Sequence, residues 1–354
     1  MKLHRSLAAR FAAALLLTLV GSTVVQAYIL IADRPQNRVL KYSDGGSFLG
    51  VVVQDAANLG GVGNASGPSS LALSPDGTKL YVSSLNSSVV RYDFNGTLAS
   101  NPQKYVSNGS SAINDPGGVL VSADGGTVYA SSRGFGFADN VARLDANGVS
   151  QGADLTGGLF SGRTGLAFNP NGELLSGTFG SDFQGGGSGG GVMRYDAGAG
   201  SFVTLVPDSL ATAGVANLLV HGNDLYLTAS VGPDFQGRIA KYNVNTGAID
   251  ASFGTGGLLI PQVSFPSGLT ATGDGSGFLV SMLTLQTTGA GRIDRYGFDG
   301  TFAGIWANNS TANPALGFVE ATALLQVVPE PSTLVGASVL VVGLAAARRR
   351  LRQR

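Results

Sequence analysis

The 354-residue chain has no cysteine, which excludes disulfide staples and thiol chemistry. Histidine is nearly as scarce, with His4 and His221 the only two. A single imidazole in the body cannot build a multi-histidine metal site. A Ser-His-Asp relay would have to use His221. That residue opens a tight turn, His221-Gly222-Asn223-Asp224, where a solvated side chain is expected. Glutamate is limited to Glu173 and Glu320 in the body, so paired-carboxylate chemistry would fall to aspartate. Charged residues make up only 12%, and 22 bases balance 22 acids. A net charge of zero argues against nucleic acid as a partner. No cofactor is expected. What the chain has in excess is glycine, 54 residues, the mark of a turn-rich chain rather than one of long helices. A body of about 300 residues is one large domain or two small ones.

That body repeats. A short motif, Val or Ile, any residue, Lys or Arg, then Tyr or Leu, occurs six times, with its basic residue at Lys41, Arg91, Arg143, Arg194, Lys241 and Arg295. The intervals are 50, 52, 51, 47 and 54 residues, a period that indicates a propeller, solenoid or array. Turn sequences keep the same register: Ser-Pro-Asp-Gly at 74, Ser-Ala-Asp-Gly at 122, Asn-Pro-Asn-Gly at 169, His-Gly-Asn-Asp at 221 and Thr-Gly-Asp-Gly at 272. Each lies between two apolar strands, and Asp, Asn and Gly supply the backbone that a hairpin needs. In the second repeat, strands are expected at 70–74, 79–83, 89–93 and about 97–106. Four short antiparallel strands per repeat describe a propeller blade.

Full repeats begin near Gly67, Asp115, Arg163, Gly214 and Phe265. The first piece, from Tyr28 to about Asp55, lacks an inner strand, and Ala321–Val327 is a spare one. Together they predict an all-β, six-bladed propeller over 28–327, with blade 1 closed by 313–327 and no open edges. This pattern resembles six-bladed propellers of the NHL and gluconolactonase-like (SMP-30) kind. The resemblance implies a metal-dependent hydrolase or lactonase as the alternative function, with metal ligands at the start of the inner strands. The corresponding stretches here offer only Asn217, with Glu320 just before the closing strand. Neither serines nor backbone make a good set for a hard cation.

The six basic residues are expected to lay their stems along the blades, with Asp93, Asp145 and Asp196 two residues on as local partners in three copies. Tyr42, Tyr92, Tyr195, Tyr242 and Tyr296 are expected to pack between blades. Binding is expected in the loops joining second and third strands, which vary in length. These carry Arg133 and Phe135 in the third repeat, and the repeated Asp-Phe-Gln-Gly at Asp182, Phe183 and Gln184 and again at Asp234, Phe235 and Gln236. Aromatic rings beside Asp, Gln and Arg suit stacking on sugar rings and bonding to their hydroxyls. No catalytic residue is assigned.

The ends of the chain carry addresses. Lys2, Arg5 and Arg10 precede an apolar stretch from Phe11 to Val20, and Val25-Gln26-Ala27 fits a signal-peptide cleavage site after Ala27. At the other end, Pro329, Glu330 and Pro331 precede an apolar run, Ser332 to Ala347, long enough for about 24 Å of helix. Arg348, Arg349 and Arg350 follow, a basic cluster that stays cytoplasmic. The 328–354 segment therefore resembles the PEP-CTERM sorting signal of Gram-negative bacteria. That resemblance implies an exosortase-type processing enzyme as partner and a transient inner-membrane anchor through the C-terminal helix. It also implies a destination at the cell surface or in an extracellular polysaccharide matrix. The expected function is a non-catalytic binding or scaffold module.

Overall fold

The alternating apolar positions fold into six antiparallel sheets. The computed structural model describes residues 27–34, 36–53, 67–84, 88–107, 113, 115–132, 140–157, 162–179, 190–209, 212, 214–229, 237–259, 266–282, 291–308 and 321–327. The first repeat gives β1 (Tyr28–Asp33), β2 (Arg38–Ser43) and β3 (Phe48–Val53). The second gives β4 (Pro68–Leu73), β5 (Lys79–Ser84), β6 (Ser88–Phe94) and β7 (Ala99–Ser107). The third gives β8 (Pro116–Val121), β9 (Val128–Ser132) and β10 (Val141–Leu144). The fourth gives β11 (Arg163–Phe168), β12 (Leu174–Thr178), β13 (Gly191–Asp196) and β14 (Ser201–Val206). The fifth gives β15 (Val215–His221), β16 (Asp224–Ala229), β17 (Arg238–Asn243) and β18 (Leu258–Leu259). The sixth gives β19 (Pro266–Ala271), β20 (Gly277–Met282), β21 (Arg292–Gly297) and β22 (Phe302–Asn308). The last strand, β23 (Ala321–Val327), joins the first sheet, whose order is β23-β1-β2-β3.

Each sheet is one blade. The inner strands β4, β8, β11, β15, β19 and β23 touch in that cyclic order, and β23 meets β4, so the ring closes. Closure is non-covalent: β23 pairs antiparallel with β1, Tyr28 opposite Val327 and Ile31 opposite Leu324. The spare terminal strand thus supplies what the first repeat lacks.

Packing follows the strand period of two. Tyr28, Leu30 and Ala32 of β1 pack with Leu71, Leu80 and Val82 of blade 2. Ile29 and Ile31 face the other way, onto Leu279 and Ile293 of blade 6. One such apolar cluster fills each of the six seams between neighbouring blades. Ile29, Leu30 and Ile31 are fully buried; each contributes about 1.5–3 kcal/mol of transfer free energy against the entropy of ordering it. The recurrent tyrosines lie in these seams: Tyr42, Tyr92, Tyr242 and Tyr296 are buried and Tyr195 is half-buried.

The end of the ring that holds the first-to-second and third-to-fourth strand turns is latched by side chains. Ser74 Oγ donates to Asp76 Oδ1 at 2.5 Å, and Asp76 Oδ1 also accepts the Thr78 amide at 3.1 Å. Ser122 and Asp124 repeat this at 2.6 Å. Gly77 follows in the left-handed region with φ +70°, which glycine enters without steric cost.

Two blades depart from the expected four full strands. Blade 3 has three, its outer edge reduced to isolated bridges from Val141 to Leu155 and from Leu144 to Ser150. Outside β17, blade 5 has the two-residue β18 and an isolated bridge from Tyr242 to Ile249. In blade 3 the reason is local: Gly152, φ +99°, breaks the extended path between the two bridges.

The basic residues also differ from expectation. Asp93, Asp145 and Asp196 do not pair with the bases two residues earlier. Asp93 takes Lys79 and Asn101, Asp145 caps its own turn through the Asn147 and Val149 amides, and Asp196 caps through Gly198. Residues i and i+2 share a face, but the short aspartate meets its turn before it meets a long cation's head. Lys41 instead reaches the Gly96 carbonyl and Arg91 the Ala146 carbonyl, each in the next blade. Lys241 bridges Asp224 at 3.0 Å and Asp250 at 2.9 Å.

Candidate functional site

The channel mouth lies where the inner strands begin. All five inner strands that start a repeat carry a register shift in their first residues, between Pro68 and Ser70, Pro116 and Val119, Arg163 and Leu166, Val215 and Asn217, and Pro266 and Leu269. Proline opens three of them, where its missing N–H costs no ladder bond. Bulges of this kind re-aim side chains and recur beside active sites. Around these shifts, hydroxyls from the inner strand β11 and from the second strands β9 and β16 reach the adjoining blade. Thr164 Oγ1 donates to the Val215 carbonyl at 2.6 Å, Ser131 Oγ to the Thr164 carbonyl at 2.8 Å, and Thr228 Oγ1 to the Ser267 carbonyl at 2.7 Å. Ser131 Oγ also accepts the Gly118 amide at 2.7 Å. These hydroxyls bond inner-strand backbone from one blade to the next.

Glycine lets the strands come that close. A Cβ on Gly165 would stand 2.8 Å from Asn217 Cα, and one on Gly268 2.9 Å from Ala323 Cα. Both contacts are shorter than side-chain carbons tolerate.

Of the two metal-ligand candidates, Asn217 is half-buried and its Oδ1 accepts its own Leu218 amide at 2.8 Å. One lone pair is thereby committed to the bulge. Glu320 lies outside the described residues. Among the described residues, no three of His, Cys, Asp and Glu come together in a way that could hold a metal ion. His221 is exposed and stacks on Phe298, with ring centroids 4.0 Å apart and planes 13° apart. It is a turn residue packed across a seam.

The loop candidates Arg133, Phe135, Asp182, Phe183, Gln184, Asp234, Phe235 and Gln236 all lie outside the described residues, as do Pro329, Glu330, Pro331, Arg348, Arg349 and Arg350. The feet of the loops are described. In blade 4, Thr178 Oγ1 accepts the Gly191 amide at 2.9 Å and donates to the Gly191 carbonyl at 3.1 Å. In blade 3, Asn140 Nδ2 donates to Asp154 Oδ2 at 2.5 Å, and burial raises the Asp154 pKa against that bond.

Blades 5, 6 and 1 share a feature that lies outside the recurrent four-residue motif: an arginine opens the third strand of each, Arg238, Arg292 and Arg38. Arg38 Nε pairs with the fully buried Asp33 at 2.8 Å. Arg292 pairs with the fully buried Asp294, the second bond measuring 3.0 Å. Arg238 is itself buried. The signal stood in the sequence, because each precedes a recurrent basic residue by three positions: Arg38 and Lys41, Arg238 and Lys241, Arg292 and Arg295. Three neighbouring blades thus anchor their loop feet with guanidinium groups. Blades 2, 3 and 4 use Ser88, Asn140 and Gly191 near the same place.

Comparison with known proteins bears on fold more than on chemistry. The family described as "Lactonase, 7-bladed beta-propeller" matches residues 26–176. That is 176 − 26 + 1 = 151 of 354 residues, running from blade 1 into blade 4. The family's description has seven blades, whereas this chain forms six sheets among the described residues. No curated protein matches the chain. Among solved structures, TolB from Acinetobacter baumannii is similar with a TM-score of 0.57 and 16% identity over 86% of this chain and 67% of that one. Kuenenia stuttgartiensis hydrazine synthase is similar at 0.50 and 16% identity over 66% of this chain. The chain spans 64% of the length of that hydrazine synthase chain. At such identity these likenesses establish the propeller fold.

Proposed function

We propose that the chain is an exported six-bladed propeller that binds or scaffolds polysaccharide outside the cell, sorted there by its C-terminal segment. The observation that carries the reading is the order of motifs in the tail: Pro329-Glu330-Pro331, a short apolar run, then Arg348 to Arg350, with a leader ending at Ala27 to match. What supports a binding rather than a catalytic role is the state of the channel mouth. Its described hydroxyls are committed to neighbouring backbone. Among the described residues, no helix is long and apolar enough to cross a membrane; the apolar run lies beyond them.

Two experiments test the two halves of this reading. Replacing Pro329, Glu330 and Pro331 by alanine should leave the protein membrane-retained with an uncut tail, because alanine lets the helix extend upstream. Normal release, with an unchanged mature C-terminus by mass spectrometry, would refute the sorting half. Phe183→Ala with Phe235→Ala should weaken retention on the producing organism's polysaccharide. Two rings at about 1 kcal/mol each correspond to roughly thirtyfold. An unchanged affinity would refute the loop assignment.

One finding favours a second reading. The lactonase-family match over 26–176 supports lactone hydrolysis, with Asn217 and Glu320 contributing to a cation site. Metal-dependent turnover of a lactone that is abolished by Asn217→Ala would replace the binding proposal.

A further inference from the structure

The two ends of the propeller meet at one point. Tyr28 opens β1, Val327 closes β23, and the two are opposite each other in the ladder. Each other blade has a turn joining its inner strand to its second strand; in blade 1 the two chain ends stand in its place. They therefore belong to the turn end of the ring, beside the turn in which the Ser43 amide donates to the Ser47 carbonyl.

This end has a definite charge. Carboxylates sit at its turns, among them Asp44, Asp76, Asp124, Asp196, Asp274 and Asp299. Hydrogen bonds from the turns' own hydroxyls and amides hold Asp76, Asp124, Asp274 and Asp299 below the usual carboxylate range. Some of the bases here are matched to acids, as Arg295 is to Asp274 at 2.5 Å and Lys241 to Asp224 and Asp250, and Lys41 and Arg91 bond the Gly96 and Ala146 carbonyls. An acidic rim has no attraction of its own for an anionic lipid surface.

The chain beyond Val327 is short. Only residues 328–331 separate the strand end from the apolar run. Four residues span at most about 14 Å. We propose that, before its tail is cut, the propeller stands on this turn end against a phospholipid bilayer, blade 1 nearest, with the loop end directed outward. The proposal rests on the sorting reading above. It adds that apposition is held by the tether alone, so a cut at the Pro-Glu-Pro site frees the body without residual adhesion.

The absence of cysteine makes the test clean. The uncut full chain, made where no processing enzyme is present, is placed in vesicles of phosphatidylcholine and phosphatidylglycerol carrying a headgroup quencher. Single variants Ser47→Cys, at the turn end of blade 1, and Gln36→Cys, at its loop end, each carry one dye. Both positions are exposed, and the six-residue strands between them set them about 20 Å apart. Thr246→Cys in blade 5 and Asn308→Cys in blade 6 form a second, independent pair. The expected result is co-flotation with vesicles and stronger quenching at Ser47→Cys and Thr246→Cys. Co-flotation with equal quenching, or stronger quenching at Gln36→Cys and Asn308→Cys, overturns the orientation and leaves the sorting reading standing. Failure to float in every variant overturns the sorting reading and the orientation with it.

Discussion

Short polar side chains are used differently at the two ends of the ring. At the turn end they latch their own hairpin: Asp76 binds Ser74 and Thr78, and Asp274 binds Ser276, while the bonds that cross seams there come from long side chains such as Lys41 and Arg91. At the mouth end short hydroxyls themselves cross the seam, as when Thr164 of blade 4 bonds the Val215 carbonyl of blade 5. Local latches stabilise a hairpin before the ring exists. Bonds across seams form only once adjacent blades have docked. Damage at the first kind of site should stay local, and damage at the second should spread to the whole ring.

The largest effect expected is from removing the closing strand. A chain ending at residue 320 loses β23, with the buried Ala323, Leu324 and Val327, and exposes β1. Two large buried side chains alone are worth about 2–5 kcal/mol each. Calorimetry should show a melting temperature lower by more than about 10 °C, since 1 kcal/mol moves a domain of this size by about 2–4 °C. A near-normal transition would mean that the seam contributes little.

Next comes a pair of glycines. Gly77 and Gly247 share φ +70°. A Cβ on Gly77 meets nothing within 4 Å, whereas one on Gly247 would overlap the Leu205 carbonyl of the preceding blade. Gly77→Ala should cost about 1–2 kcal/mol, the strain of the left-handed region. Gly247→Ala should cost at least about 1 kcal/mol more, as overpacking does. Equal losses in chemical denaturation would show that the blades give way at no cost.

The hydroxyls offer a smaller contrast. Ser131→Ala leaves the buried Gly118 amide and Thr164 carbonyl each short of a partner, at about 1–3 kcal/mol. Ser74→Ala removes the bonds to Asp76 and from the Lys79 amide at a turn where water can replace them, and should cost less than about 1 kcal/mol in the same urea titration.

The smallest effect concerns pH. Asp250 is held down to about 2 by its bonds from Ser252 and Lys241. A carboxylate with a depressed folded pKa stabilises the fold above its unfolded value near 4 and loses that contribution as pH falls toward 2. Urea titrations between pH 5 and 2 should therefore show a shallower acid decline in Asp250→Asn than in the parent chain. The side chain is only half-buried, so solvent keeps the difference small.

Much of this architecture was readable because it is periodic. The motif ending in Tyr42 or Tyr92 marks the third strand of a blade, and the missing inner strand of the first repeat points to Ala321–Val327 as its complement. The bulges were not readable, because a register shift at Ser70 or Asn217 depends on the partner strand. The partners of Lys41 and Arg91 were likewise hidden, since each belongs to a neighbouring blade some 55 residues away in sequence. At the site, the inner-strand starts were legible as a poor ligand set, with Asn217 the one amide among serines and backbone. The use of Thr164 in bonding blade to blade appears only when adjacent backbones are placed side by side.

The pairing of Tyr28 with Val327 also sets a clock. The partners are 327 − 28 = 299 residues apart. At a synthesis rate of 5–20 residues per second, β1 waits about 15–60 s for the strand that covers it. During that time six consecutive residues, Tyr28 to Asp33, all buried in the finished ring, present an open apolar edge. Closing so long a loop is slow, and an unpaired edge invites association with other chains. The ring therefore cannot close before its last strand is made, and the first strand waits longest for its cover.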